Sequence, residues 1–242
     1  MGFDFLDDGG VKALFSLFRR AGISLYAVGG AVRNGLLGLP AKDVDFATPA
    51  LPSAAAALLE SAGVECDASA SKFGAVIAGI GGGRFTITTF RRDAYARPHF
   101  PAVRFVESLE VDSRRRDFAM NAVYADGGGA VFDPQGGRAD ILEKRVVRFI
   151  GDADKSVRDD PLRILRYFRF CGEYFHESFD APSLAACARN IRLVEALPAR
   201  KAAYEIERLI FSPGYGVIRD VWAGQDISAY TLEFIRKHRH EG

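Results

Sequence analysis

LYAVGGAVRNGLLGLPAKDVDFAT, residues 25–48, is the stretch of this 242-residue chain on which fold and chemistry both turn. Leu25–Val28 is a short apolar run and reads as a buried strand. Gly29-Gly30 lets the backbone turn tightly out of that strand into a helix over Ala31–Leu37. Gly38 and Pro40 stop the helix, and Asp43-Val44-Asp45-Phe46 reads as a second strand. A helix start opened by glycines offers free N–H groups and a positive dipole end, which suits a phosphate. Alternate residues of a strand face one side, so the carboxylates of Asp43 and Asp45 project together, with Cα atoms about 6–7 Å apart. Two carboxylates so placed can share a pair of divalent ions roughly 3.5–4 Å apart, the geometry of in-line phosphoryl or nucleotidyl transfer.

Taken singly, each feature has an ordinary explanation. Gly-Gly after a strand is usually a turn, and D-x-D on a strand edge is usually a solvated face. The ordered set of strand, Gly-Gly turn, helix and D-x-D strand is much rarer than either part. Together they point to a site for metal and nucleotide.

GGAVRN followed by KDVDFAT resembles the GGxVRD…DxD signature of the class II tRNA nucleotidyltransferase and poly(A) polymerase family, within the superfamily that includes DNA polymerase beta. Three further segments resemble that family in the same order: RRRDFAMNAVYAD (114–126), FDPQGGRADI (132–141) and RDDPLRILRYFRF (158–170). LPARKAAYEIERLI (197–210) echoes a fourth element weakly. The resemblance implies an α+β fold with a mixed-sheet, DNA polymerase beta-like nucleotidyltransferase head over residues 1–140. A helical neck carrying base recognition would follow over 141–242. The implied activity is template-independent addition of C and/or A, from CTP and ATP, to the 3′ end of tRNA. It also implies two Mg²⁺ ions held by Asp43 and Asp45, and a nucleotide-binding set made of Gly29, Gly30, Arg33, Arg116, Asp117, Asn121, Asp160, Arg163 and Arg166. Within that set Arg116 is expected near the triphosphate, and Asp117 with Asn121 near the ribose. The cluster Arg115-Arg116-Asp117 is expected to open a helix.

Asp159-Asp160-Pro161-Leu162-Arg163 reads as a helix start, with Asp at the N-cap and Pro at the first position. Asp160 and Arg163, three residues apart on the first turn, can also face one space. A carboxylate beside a guanidinium offers an acceptor and a donor. Adenine and cytosine each present an exocyclic amino donor beside a ring-nitrogen acceptor, whereas guanine and uracil present the reverse. Such a pair accepts A and C and rejects G and U, and the resemblance places Asp160 and Arg163 on the family's base-template positions.

Composition agrees with a globular enzyme: 48% hydrophobic and 26% charged residues. The net charge of +1 is no signature of a nucleic-acid binder. Arginines nevertheless cluster in 84–116 and 158–169, and arginine suits forked phosphate contacts. The acidic start MGFDFLDDGG and the absence of a long apolar run lead us to expect neither signal peptide nor membrane span, and a cytoplasmic protein. Cys66, Cys171 and Cys187 have no metal spacing and read as reduced, mostly buried residues.

Helices are expected over 11–21 and 52–62, strands over 72–80, 84–90 and 103–105, and a polar mobile loop over Arg91–Pro101. Beyond residue 140 the only strand expected is Val146–Phe149, followed by helices from Pro161 to the end, whose exposed faces could pair two chains. The chain departs from the family pattern at Asn34, where an Asp is usual, at Thr86, where many members carry a Glu, and at Asp159 and Arg200 in place of Glu. Relatives usually continue well past residue 242. CCA addition, addition of CC or A alone, poly(A) synthesis, and a non-catalytic nucleotide- or RNA-binding module all remain open.

Overall fold

The computed structural model describes residues 2–97 and 100–223. It divides into two compact units, residues 1–94 with 102–143, and residues 95–101 with 144–242.

The first unit begins with α1 (Gly9–Arg20), which Asp8 caps by accepting the Val11 amide at 2.9 Å. Val11, Leu14, Leu17 and Phe18 lie on its buried face. Then come β1 (Tyr26–Val28), α2 (Gly30–Leu36), β2 (Asp45–Thr48), α3 (Pro52–Ser61), β3 (Glu65–Asp67), β4 (Ala75–Ile80) and β5 (Gly83–Thr89). β6 (Arg91–Arg97), β7 (Phe100–Phe105), α4 (Leu109–Ser113), β8 (Tyr124–Ala125), β9 (Val131–Phe132) and the one-turn α5 (Gly137–Ala139) follow, with residues 95–97 of β6 and 100–101 of β7 belonging to the second unit. Seven strands form one mixed sheet in the order β3-β4-β5-β2-β1-β8-β9. β2 and β5 run parallel, while the other pairs described in that sheet are antiparallel.

Strand alternation splits the sheet into two faces. Phe46 lies on one face, edge-on to Phe15 of α1 at 5.3 Å and to Phe85 at 6.0 Å. On the other face Val28, Ala47, Phe90 and Tyr124 form a buried cluster. β1 pairs Val28 with Asp45 on one side and with Tyr124 on the other. One rung of the sheet therefore reads Tyr124–Val28–Asp45, ending at the edge of the Gly29 turn.

The second unit is helical: α6 (Ala153–Asp159), α7 (Leu162–Tyr174), α8 (Ala181–Arg189), α9 (Ala199–Ile210) and α10 (Tyr215–Ala223). Asp152 and Asp180 cap α6 and α8 by accepting the Lys155 and Ser183 amides. Phe149 stacks on Tyr167 at 5.7 Å and Trp222 meets Phe168 edge-on at 5.2 Å, with Cys171 and Cys187 buried as free thiols. No helix among the described residues is long and apolar enough to cross a membrane.

Of the expected loop at Arg91–Pro101, residues 91–97 and 100–101 are instead strand in a two-stranded ribbon, β6–β7, and 98 and 99 lie outside the described residues. Its polar composition suggested a loop, but a ribbon outside the main sheet has little apolar surface to bury and carries arginines without penalty. The root of the ribbon is tied down, with the Val106 amide donating to the Phe90 carbonyl at 2.9 Å. Val146–Phe149 forms no strand; Phe149 makes an isolated bridge and its amide donates to Ser183 Oγ at 3.2 Å.

Candidate functional site

The Gly-Gly turn is built as its sequence demands. Gly29 has φ +76° and ψ −125°, a region open to glycine alone, and its carbonyl accepts the Arg33 amide at 3.0 Å to start α2. Arg33 does not reach into solvent. It is buried, donating to Asn121 Oδ1 at 2.6 Å and to Asn34 Oδ1 at 3.0 Å. Asn121 Nδ2 in turn donates to Asp117 Oδ1 at 3.1 Å. Arg33, Asn121 and Asp117 thus form one chain of hydrogen bonds that braces α2 against the segment ahead of β8. Asn34, where the family pattern has Asp, also donates from Nδ2 to the Pro40 carbonyl at 3.0 Å, a bond an aspartate could not make.

Asp45 opens β2, and Asp43 lies two residues before it, outside the strand; both residues are solvent-accessible. Desolvation by surrounding protein is the main cause that raises the Asp45 pKa above the usual carboxylate value. The Asp43 charge adds to that rise, whereas the charge of Arg116 and a hydrogen bond from Thr86 oppose it. Asp43, Thr86 of β5 and Arg116, from three segments, all lie within electrostatic reach of Asp45.

Arg115-Arg116-Asp117 opens no α-helix, only a single 3₁₀ turn over Ala119–Asn121 two residues after Asp117. α4 ends at Ser113, and the arginines follow its C-terminus. They are placed by a residue the sequence reading missed, Asp112, which is fully buried. Asp112 Oδ1 accepts Arg115 Nε at 2.7 Å and the Arg91 amide at 3.1 Å. Oδ2 accepts the Tyr124 hydroxyl at 2.8 Å and Arg116 at 3.1 Å. Burial works against the Asp112 charge, but Arg116, Arg115 and these hydrogen bonds outweigh it and hold its pKa below the usual value. Burial also keeps the Tyr124 phenol protonated, able to donate to Asp112 while accepting Arg116 Nε at 3.0 Å. An Asp three and four residues ahead of two arginines was the available clue.

The DPQGGRAD segment is a brace. Asp133 accepts the Gly137 and Arg138 amides, both at 2.8 Å, and a Cβ at Gly137 would lie 2.0 Å from the Ala119 carbonyl oxygen. Only glycine lets this turn approach the Ala119 backbone, two residues ahead of Asn121.

In the second unit Asp160 and Arg163 sit at the start of α7, both partly buried. Asp160 Oδ1 accepts the Leu162 amide at 3.1 Å, so it does cap the helix. Arg163 donates to Ser156 Oγ of α6 at 2.7 Å. One turn on, Arg166 pairs with Glu205 of α9 at 3.6 Å and lies over the Phe170 ring. Arg169, nearly fully buried, pairs with the same Glu205 and with Glu173, which also receives Arg208 at 2.8 Å. Glu205 of the weakly matching 197–210 segment is therefore the hub of a buried ion network.

Among the described residues no three His, Cys, Asp or Glu side chains group as a metal site. The Asp43–Asp45 pair fits a divalent ion on other grounds: desolvation first, and the neighbouring Asp43 charge second, work against the Asp45 carboxylate charge, and a cation would offset both.

Comparison with known proteins matches this architecture. The chain is 38% identical over 216 residues to a CCA-adding enzyme of Geobacillus thermodenitrificans, covering 87% of this chain and 51% of that protein. It is 33% identical over 204 residues to the mitochondrial CCA tRNA nucleotidyltransferase 1 of Homo sapiens, covering 83% and 47%. Its fold superimposes on the crystal structure of the Bacillus stearothermophilus CCA-adding enzyme in complex with CTP with a TM-score of 0.83 at 33% identity, over 95% of this chain and 54% of that one. The chain spans about half the length of the curated relatives it matches. The family described as "Poly A polymerase head domain" matches residues 25–148, from the strand before the Gly-Gly turn to the end of the first unit and just beyond. By that match, over about half of its length, the chain belongs to the Poly A polymerase head domain family.

Proposed function

We propose that this chain carries the catalytic head and the base-reading helix of a template-independent RNA nucleotidyltransferase, adding C and/or A from CTP and ATP to the 3′ end of tRNA. The observation that carries the reading is the sheet rung Tyr124–Val28–Asp45. It sets the D-x-D pair beside the Gly29 turn and within electrostatic reach of Arg116. In the reaction the RNA 3′-hydroxyl oxygen attacks the α-phosphorus, the bond to the β-phosphate breaks, pyrophosphate leaves and the hydroxyl proton is lost. Asp43 and Asp45 would hold two Mg²⁺ ions. Such ions favour ionisation of the hydroxyl and offset charge on the triphosphate and leaving pyrophosphate.

The chain's own residues supply placement. Gly29 and Gly30 let phosphate oxygens approach the backbone. Arg116, held by Asp112 and Tyr124, presents a fixed cation to the triphosphate. Asp117 and Asn121 face the ribose, and Arg33 holds Asn121 for that task. Asp160 and Arg163 read the amino and ring-nitrogen edge of C or A, with Arg166 beside them on the next turn of α7. The names of the relatives support CCA addition over poly(A) synthesis.

The test is incorporation of labelled CTP and ATP, separately and together, onto tRNA ending before CCA, at C and at CC. Addition that stops at CCA supports the reading; long A-tails would transfer it to poly(A) synthesis. Incorporation that survives Asp45→Ala would sink the two-carboxylate mechanism.

A further inference from the structure

We propose that Thr86 is a positioning residue for Asp45, and that with threonine there the carboxylate pair holds a divalent ion firmly only when nucleotide phosphates complete the ligand set. This rests on the nucleotidyl-transfer reading of the pair.

β2 and β5 run parallel with Phe46 opposite Ile87, which makes Asp45 and Thr86 neighbours at the next step along the two strands. Phe46 and Ile87 both turn into the core, so Asp45 and Thr86 both face the opposite side. There the Thr86 hydroxyl lies beside the Asp45 carboxylate and, as a hydrogen-bond donor, favours its charged form. A β-branched residue on a strand has few χ1 choices, so this hydroxyl is a fixed donor rather than a wandering one.

Two consequences follow from the charge. Thr86 adds no negative charge, so the cluster carries two carboxylates, in line with the lack of any three-ligand group among the described residues. Affinity for hard divalent cations rises with the number of charged oxygen ligands, and Mg²⁺ is commonly held by one or two carboxylates together with substrate phosphates. Thr86 also occupies one lone pair of Asp45. It thereby turns the remaining lone pairs toward a fixed direction.

The experiment is Mn²⁺ titration followed by electron paramagnetic resonance of the free ion, on the whole chain. It is run without nucleotide and with a non-hydrolysable CTP analogue, after subtraction of binding to the analogue alone. The wild-type chain is expected to bind Mn²⁺ at least about tenfold more weakly without the analogue than with it. Thr86→Glu is expected to tighten nucleotide-free binding by about tenfold or more and to narrow that gap, since a third carboxylate joins the set. Thr86→Val should weaken binding in both conditions and Thr86→Ser should restore it. Thermal unfolding of each variant checks that it folds; if Thr86→Glu does not, the Val and Ser variants decide the matter. Equal Mn²⁺ affinity in wild type, Thr86→Glu and Thr86→Val would overturn the proposal. Unchanged Mn²⁺ binding in Asp45→Asn would instead remove the carboxylate-pair reading on which it stands.

Discussion

Asp112 grips Arg116 from below: its fully buried Oδ2 accepts the guanidinium at 3.1 Å and the hydroxyl of Tyr124 at 2.8 Å. Oδ1 meanwhile is taken by Arg115 and the Arg91 amide. Every hydrogen bond in that knot depends on one buried charge. Asp112→Asn should therefore cost about 3–5 kcal/mol, the usual penalty for stranding the partner of a buried ion pair. Urea unfolding measures it as a fall in midpoint at constant m-value. If Arg116 meets the triphosphate, the surviving folded enzyme should show a raised KM for nucleotide with a smaller change in kcat.

Acid affects the two aspartates in opposite senses. The Asp112 pKa is lowered in the folded state, so the stability it contributes is present above its unfolded value, about 3.9, and is lost as pH falls through the lower folded value. The Asp45 pKa is raised, so its ionised form destabilises the fold above the folded pKa, and that cost disappears as pH falls through it. In metal-free buffer Asp45→Asn should have the higher Tm at pH 7, with the difference shrinking toward pH 4. A difference that grows with acid would contradict the raised pKa.

Gly29→Ala puts a Cβ on a backbone at φ +76° and ψ −125°. The strain should cost about 1–3 kcal/mol, seen as a lower Tm, or else force the turn to reshape. Either outcome displaces the start of α2, so binding of CTP followed by fluorescence or calorimetry should fall by more than the stability loss alone explains.

Glu205→Leu removes the shared partner of Arg169 and Arg166 and leaves a guanidinium buried, at an expected cost of about 3–5 kcal/mol. Pairing it with Arg169→Met should recover much of that loss, because the most deeply buried pair is replaced whole, while Glu173 keeps Arg208 and Arg166 is partly exposed. A double-mutant cycle by chemical denaturation checks this.

Arg163→Lys keeps the charge at the head of α7 but gives up the planar fork. On the base-template reading, use of CTP and ATP should fall about 10- to 100-fold in kcat/KM, the effect of losing one or two charge-assisted hydrogen bonds. Discrimination against GTP and UTP should shrink with it. A lysine ammonium can keep the hydrogen bond to Ser156 Oγ, so stability should move less than kcat/KM does.

Local rules made the turn at Gly29 and the helices α1, α2 and α3 legible, since each rests on short-range glycine, proline or apolar spacing. The D-x-D pair was legible for the same reason, although β2 starts at Asp45 and leaves Asp43 in the connection before the strand. Asp112 was not. Between Val111 and Ser113 it looks like one more acid in the first turn of a short helix, and its burial depends on Tyr124, twelve residues on. The β6–β7 ribbon was hidden behind a polar composition that in a main-sheet strand would have argued against pairing. Arg33 read as a cation for phosphate because nothing near it in sequence announces Asn121, 88 residues away, which draws its guanidinium inward.

The rung shared by Tyr124, Val28 and Asp45 also sets where this chain can change length. Moving a strand by a single residue turns its inward side chains outward and its outward ones inward. A deletion within 45–48 would bury the carboxylate in place of Phe46 and drive the phenylalanine ring onto the opposite, already filled face. The connection over 38–42 lies outside helix and strand and imposes no such alternation. Insertions and deletions among relatives of this chain should therefore accumulate in 38–42 and be absent from 45–48 and 84–89, a pattern that an alignment can test without any experiment on the protein itself.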